Sequence, residues 1–137
     1  MSDVPARLAS LVRTRAGDHC EYCRLSQVSQ EAAFHIDHVV PRSANGPASL
    51  ENLALACVSC SLRKGARRSS IDSETNLETP LFNPREQNWS DHFRWDGFRI
   101  EALTAVGRVT IFALAMNRPV VLMIREEQAD RHRHLPN

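Results

Sequence analysis

No apolar run in this 137-residue chain is long enough to cross a bilayer. The best stretch, around Val120–Ile124, falls far short of the roughly 20 residues that a spanning helix needs. No membrane partner is expected. Charge of one sign is also scarce. Seventeen Lys and Arg face sixteen Asp and Glu, a formal net charge of +1. The chain is therefore no polycation, and any affinity for nucleic acid has to come from a local cluster. There is no internal repeat and no low-complexity tract. The opening residues, Met1 to Leu8, lack the charged-then-apolar pattern of an export signal, so the expected compartment is the cytoplasm. Finally, no cysteine is left over: all four fall in two Cys-x-x-Cys pairs.

What is present is ordinary globular composition, 42% hydrophobic and 24% charged. The length fits one domain spanning 1–137, with a modest core that a structural metal would help. The pairs are Cys20/Cys23 and Cys57/Cys60. In a reducing compartment they favour metal over disulfides. Two such knuckles close a tetrahedral thiolate site for zinc, and with four sulfurs bound the ion is structural. The 33 residues between Cys23 and Cys57 must then hold folded structure. Two redox pairs or free structural cysteines are the alternative.

The coarse pattern is α+β. Residues 3–16 are predicted to form a helix, with Asp3 as cap, Pro5 in the first turn, Leu8, Leu11 and Val12 as its apolar stripe, and Gly17 as its end. Phe34–Pro41 suggests a strand entering a turn, Ser43–Pro47 a loop, Leu53–Ala56 a second strand, and 59–66 a helix beginning inside the second pair. Residues 67–90 have no clear period and are expected to be extended chain lying on the domain, because Leu81, Phe82 and Trp89 need burial. Phe93–Ile100 signals a hairpin turned at Asp96-Gly97. Helices are expected over 105–116 and 120–131, separated by Asn117–Pro119, with Pro119 opening the second. Trp89, Trp95, Phe93 and Phe98 suit a core better than base stacking. His132 and His134 lie in a polar tail, and His19 is placed to shield the first knuckle.

Between the knuckles, Asp37 and His38 are adjacent at a strand end. Such a pair divides two tasks: the carboxylate holds a hard divalent cation and the imidazole takes a proton from water. Hydrolysis of a phosphodiester needs both. Alone, however, an Asp-His pair is common and is better explained as satisfying backbone groups.

The ordered set Cys20-x-x-Cys23, Asp37-His38-Val39-Val40-Pro41, Gly46, Glu51-Asn52-Leu53, Cys57-x-x-Cys60 and Arg63-Lys64-Gly65 resembles the HNH endonuclease family. The resemblance covers about a third of the chain, residues 19–65. The tail, with Leu81–Arg85, His92–Trp95 and Gly107-Arg108, looks like an extension found in a bacterial subgroup. The resemblance implies a ββα-metal core over 19–66, stapled by the four-cysteine zinc site, with 67–137 packed on it. It implies His38 as general base, Asp37 as ligand of a catalytic Mg²⁺ or Mn²⁺, and Asn52 as the residue that holds the loop carrying His38. It implies DNA as the partner, with RNA not excluded, and a 5′-phosphate product.

The chain departs from the family at Ser61, where a His or Asn usually supplies the second metal ligand. Ser61 holding the metal through water, His35 taking the position from the same strand face as Asp37, or weak metal binding with impaired catalysis all remain open. Arg63, Lys64, Arg67 and Arg68 form a basic cluster starting on the second helix, suited to phosphates flanking the scissile one, with Arg42 as a further candidate. A solvated helix face is the alternative.

Overall fold

The computed structural model describes residues 4–28 and 30–131. Helix α1 spans Ala6–Arg15 and is followed by strands β1 (His35–His38) and β2 (Leu53–Ala56) and helix α2 (Val58–Lys64). The expected cap at Asp3 lies outside the described residues, as do His132 and His134. Pro5 is the residue that leads into α1, and Gly17, at φ +60°, turns the chain after it. β1 and β2 are antiparallel, with His35 opposite Ala56, Asp37 opposite Ala54 and His38 opposite Leu53. All four residues of β2 are buried, because α1 and α2 both pack against it. The alternation of Leu and Ala provides bulk on one side and close approach on the other. α1 also grips the hairpin through polar side chains. Arg15 donates to the carbonyls of Leu50 and Leu53, and Arg13 to that of Phe34.

The segment expected to lie as extended chain on the domain does pack there, but with more regular structure than its composition suggests. Residues 67–90 contain a second hairpin, β3 (Ser69–Ile71) with β4 (Glu78–Pro80), and the start of a one-turn helix α3 (Trp89–His92). Neither strand shows apolar alternation. Tertiary packing against α4 (Ala105–Ala113) supplies what the local sequence does not. Leu81, Phe82 and Trp89 are buried as expected. β5 (Phe93–Asp96) and β6 (Arg99–Ala102) form the expected hairpin, with Gly97 at φ +61° in its turn. Helix α5 runs from Pro119 to Asp130. No helix among the described residues is long and apolar enough to cross a membrane.

The loop between β3 and β4 is tied to α4 by Asp72, 1% exposed. Its carboxylate accepts from Arg108 Nε at 3.0 Å and Nη2 at 2.9 Å, and from the Thr75 hydroxyl at 2.8 Å. The Arg108 hydrogen bonds hold this carboxyl well below the usual carboxylate range. A depressed folded-state value stabilises the fold at every pH above the unfolded value, near 3.9, and the contribution is lost as pH falls below it. Asp72→Asn is therefore expected to lower the urea midpoint at neutral pH, with the gap to wild type narrowing below about pH 4. A gap independent of pH would contradict this role.

Residues 67–130 pack back on the first knuckle. Trp89 Nε1 donates to the Tyr22 carbonyl at 2.8 Å. Arg85 pairs with Glu21, whose other oxygen accepts from Leu55 N at 2.8 Å. Gln128 Nε2 donates to the carbonyls of Ser26 and Val28. Phe82, Phe93, Trp89 and Trp95 stack successively at centroid distances of 5.0–5.5 Å. Trp89 and Phe93 are core side chains and Trp95 packs against them, as expected, whereas Phe98, also expected there, is half-buried.

Candidate metal centre and catalytic cleft

The four cysteines converge. Their Sγ atoms all lie within 4.8 Å of one another, and Cys23 Sγ and Cys57 Sγ are 3.7 Å apart. A tetrahedron of about 2.3 Å Zn–S bonds places its sulfurs about 3.8 Å apart, so the cluster is positioned to bind zinc. Each knuckle is shaped by its own backbone: Cys23 N points at Cys20 Sγ and Cys60 N at Cys57 Sγ, both at 3.4 Å. Such N–H donors suit thiolates. Hydrogen bonding among the four sulfurs, then burial, raises the Cys60 thiol well above its ordinary value. His19, expected beside the knuckle, is half-buried with its Nδ1 2.7 Å from the Gly17 carbonyl oxygen. Among the described residues, the cysteines are the single cluster of three or more His, Cys, Asp or Glu able to hold a metal.

Beside the hairpin lies an open cleft of about 620 Å³, lined by His35, Asp37, His38, Arg42, Ser61 and Arg13 among others. β1 delivers His35, Asp37 and His38, and the first turn of α2 delivers Ser61. His35 Nδ1 and Ser61 Oγ are 2.8 Å apart, so the two candidate second ligands meet each other. The sequence had offered them as separate possibilities.

Asn52 is 6% exposed and forms a staple. Its Oδ1 accepts from Val40 N at 2.9 Å, and its Nδ2 donates to the carbonyls of Val40 and Pro47, each at 3.0 Å. These bonds fix the turn that follows His38. Gly46 makes the staple possible, because a Cβ there would sit 1.7 Å from the Val40 carbonyl oxygen.

Asp37 sits deeper than the sequence suggested. It is 8% exposed, and the Tyr22 hydroxyl donates to its Oδ2 at 2.9 Å. Lys64 Nζ lies 3.1 Å from the same oxygen and also donates to the carbonyls of His38 and Val39. Burial raises the Asp37 carboxyl above its ordinary value, opposed first by Lys64 and then by the Tyr22 hydrogen bond. Tyr22 is raised well above its own ordinary value, chiefly by burial and then by Asp37, so it remains a phenol donor.

The expectation for Lys64 is corrected here. Its place in a basic cluster suggests a phosphate contact, yet Lys64 is 2% exposed and its ammonium is spent on Asp37 and two carbonyls. It cannot reach a phosphate. Helical spacing carries the signal for this: Lys64 lies one turn after Cys60 and so shares its buried face. The remaining cations are exposed but dispersed. Arg42 lines the Asp37–His38 cleft, Arg67 and Arg68 line a smaller one beyond Val39 and Val40, and Arg63 lines a third near α5. Tyr22, Glu21 and Arg85 escaped sequence reasoning; Glu21 and Tyr22 stand in plain view between the first two cysteines.

No curated protein and no solved structure matches the chain. One family model does, over the segment that holds both knuckles, β1, β2 and α2. Residues 20–67 of this chain match the HNH endonuclease family.

Proposed function

We propose that the chain is a metal-dependent endonuclease of the HNH type that hydrolyses phosphodiester bonds in DNA. The observation that carries this is the convergence of His35, Asp37, His38 and Ser61 on one open cleft beside the zinc-stapled hairpin. His38 takes the proton from the attacking water. Asn52, through the Val40 and Pro47 backbone, fixes the turn after it. Asp37 and His35 would hold Mg²⁺ or Mn²⁺, with Ser61 Oγ, 2.8 Å from His35 Nδ1, orienting the His35 ring. When bound, the cation supplies positive charge to the phosphoryl oxygens and the departing oxygen. Lys64 and Tyr22 fix the Asp37 carboxylate from behind. Arg42, at the mouth of the cleft, is assigned to a flanking phosphate, and Arg63, Arg67 and Arg68 to more distant ones. Zinc in the four-cysteine centre is structural.

The test is cleavage of plasmid DNA and of an RNA of matched sequence with Mg²⁺, Mn²⁺ or EDTA. Wild type is expected to cut DNA with metal and not with EDTA. His38→Ala is expected to lose about 10²–10⁴-fold in rate. Equal rates in the mutant would exclude His38 as the base, and preferential RNA cleavage would replace DNA as substrate.

A second reading is a zinc-stabilised nucleic-acid-binding module without catalysis. Ser61 at the usual ligand position and the engagement of Asp37 by Lys64 favour it. Salt-dependent binding of DNA with no nicking in either metal would select that reading.

A further inference from the structure

Arg125, on α5, is fully buried, with 0% of its surface exposed. Such a cation needs a counter-charge, because an isolated buried charge is strongly disfavoured. No carboxylate supplies one: among the described residues no Asp or Glu forms an ion pair with it. Its guanidinium donates to three backbone carbonyls instead, Phe98 and Met116 at 2.8 Å and Cys23 at 3.1 Å, and lies over the Trp95 ring at 5.3 Å. Its Nε has no hydrogen-bond partner among the described residues. Carbonyls satisfy hydrogen bonds but carry no net charge. Burial lowers its pKa from the ordinary value, and the cysteines Cys23, Cys60 and Cys20 oppose that shift, Cys23 being the residue whose carbonyl it touches.

Four neutral thiols, or two disulfides, would leave this arginine uncompensated. Four thiolates around one Zn²⁺ carry a net charge of −2. We propose that Arg125 is the counter-charge of a zinc–tetrathiolate centre, reaching it through the Cys23 carbonyl, so that α5 docks on the first knuckle as a function of metal occupancy. The far end of the chain is then part of the metal site. Loss of zinc turns Arg125 from a stabilising contact into a buried unpaired charge, and α5 is the first element released as the core unfolds.

The experiment uses the zinc-loaded full chain and two readouts independent of DNA cleavage: the rate of zinc transfer to a chromogenic chelator, and hydrogen exchange of the α5 amides before and after that transfer. Arg125→Met keeps the length and removes the charge. It is expected to release zinc about 10–100-fold faster, the usual cost of deleting a group that supports metal ligands. Arg125→Lys keeps the charge and loses the planar fork, so its release rate is expected nearer to wild type than to the Met variant. Gln128→Leu removes another α5 contact to the knuckle without touching charge, and is expected to leave the rate close to wild type. In wild type, α5 exchange is expected to rise on zinc removal before that of α4. Equal release from wild type and Arg125→Met would overturn the proposal. So would Arg125→Lys or Gln128→Leu releasing zinc as fast as Arg125→Met, since packing rather than charge would then be the cause. Should Arg125→Met fail to fold, the Lys and Leu variants and the wild-type exchange order still decide it.

Discussion

Chelation of zinc, or replacement of Cys57 by Ser, is expected to unfold the ββα core outright. The two knuckles are far apart in sequence, with 33 residues between Cys23 and Cys57, and the metal is what joins them. Besides the shared core and the Tyr22 bond to Asp37 at 2.9 Å, the knuckle touches β2 through Glu21, whose backbone and side chain both bond to Leu55, each at 2.8 Å. Two such hydrogen bonds contribute about 1–3 kcal/mol together. Structural zinc in small domains contributes about 10–16 kcal/mol at neutral pH. The metal therefore dominates, and its contribution is as large as the whole stability of a typical domain, about 5–15 kcal/mol. Far-ultraviolet circular dichroism during chelation checks this. The expected result is a cooperative loss of structure that returns on adding zinc. Retention of the folded spectrum after complete zinc removal would contradict a structural role.

Lys64→Ala is expected to cost about 3–5 kcal/mol of stability, because it strands a buried carboxylate. The pair is shielded on both sides, with side-chain exposures of 3% for Lys64 and 8% for Asp37. Tyr22 alone would remain to satisfy Asp37, while the carbonyls of His38 and Val39 would lose a donor. The double variant Lys64→Ala/Asp37→Asn removes the orphaned charge along with its partner. Its cost in urea denaturation is expected to be smaller than that of Lys64→Ala alone, which is non-additivity of the kind contacting residues show. Strictly additive costs would mean that the two groups do not depend on each other. An exposed Lys would show neither effect, so the same measurement separates the buried ion pair from a phosphate-contacting role.

The core of this fold was legible because its signals are local. The Cys-x-x-Cys pairs, the Asp96-Gly97 turn and Pro119 at the start of α5 each act within a few residues. Leu53–Ala56 was recognisable as a strand from its apolar run alone. The β3–β4 hairpin was not, since Ser69, Ser70 and Thr79 show no alternation and owe their strand conformation to α4 and to the Asp72–Arg108 pair, 36 residues apart. Arg125 was invisible for the same reason: its partners Cys23 and Phe98 lie 102 and 27 residues away. At the cleft, the sequence placed Asp37, His38, His35 and Ser61 in one neighbourhood but not the hydrogen bond between His35 and Ser61. Lys64 misled because a basic run reads as surface, although its helical phase points inward.

The convergence of Asp37 and His35 on a cation is tested most directly by anomalous diffraction from crystals of the zinc-loaded chain soaked in Mn²⁺. The predicted result is a manganese peak in the cleft, bonded to an Asp37 oxygen and to His35 Nε2, with Ser61 Oγ still on His35 Nδ1. Saturated crystals with no peak beside Asp37, or with manganese held by Ser61 while His35 turns away, would contradict it.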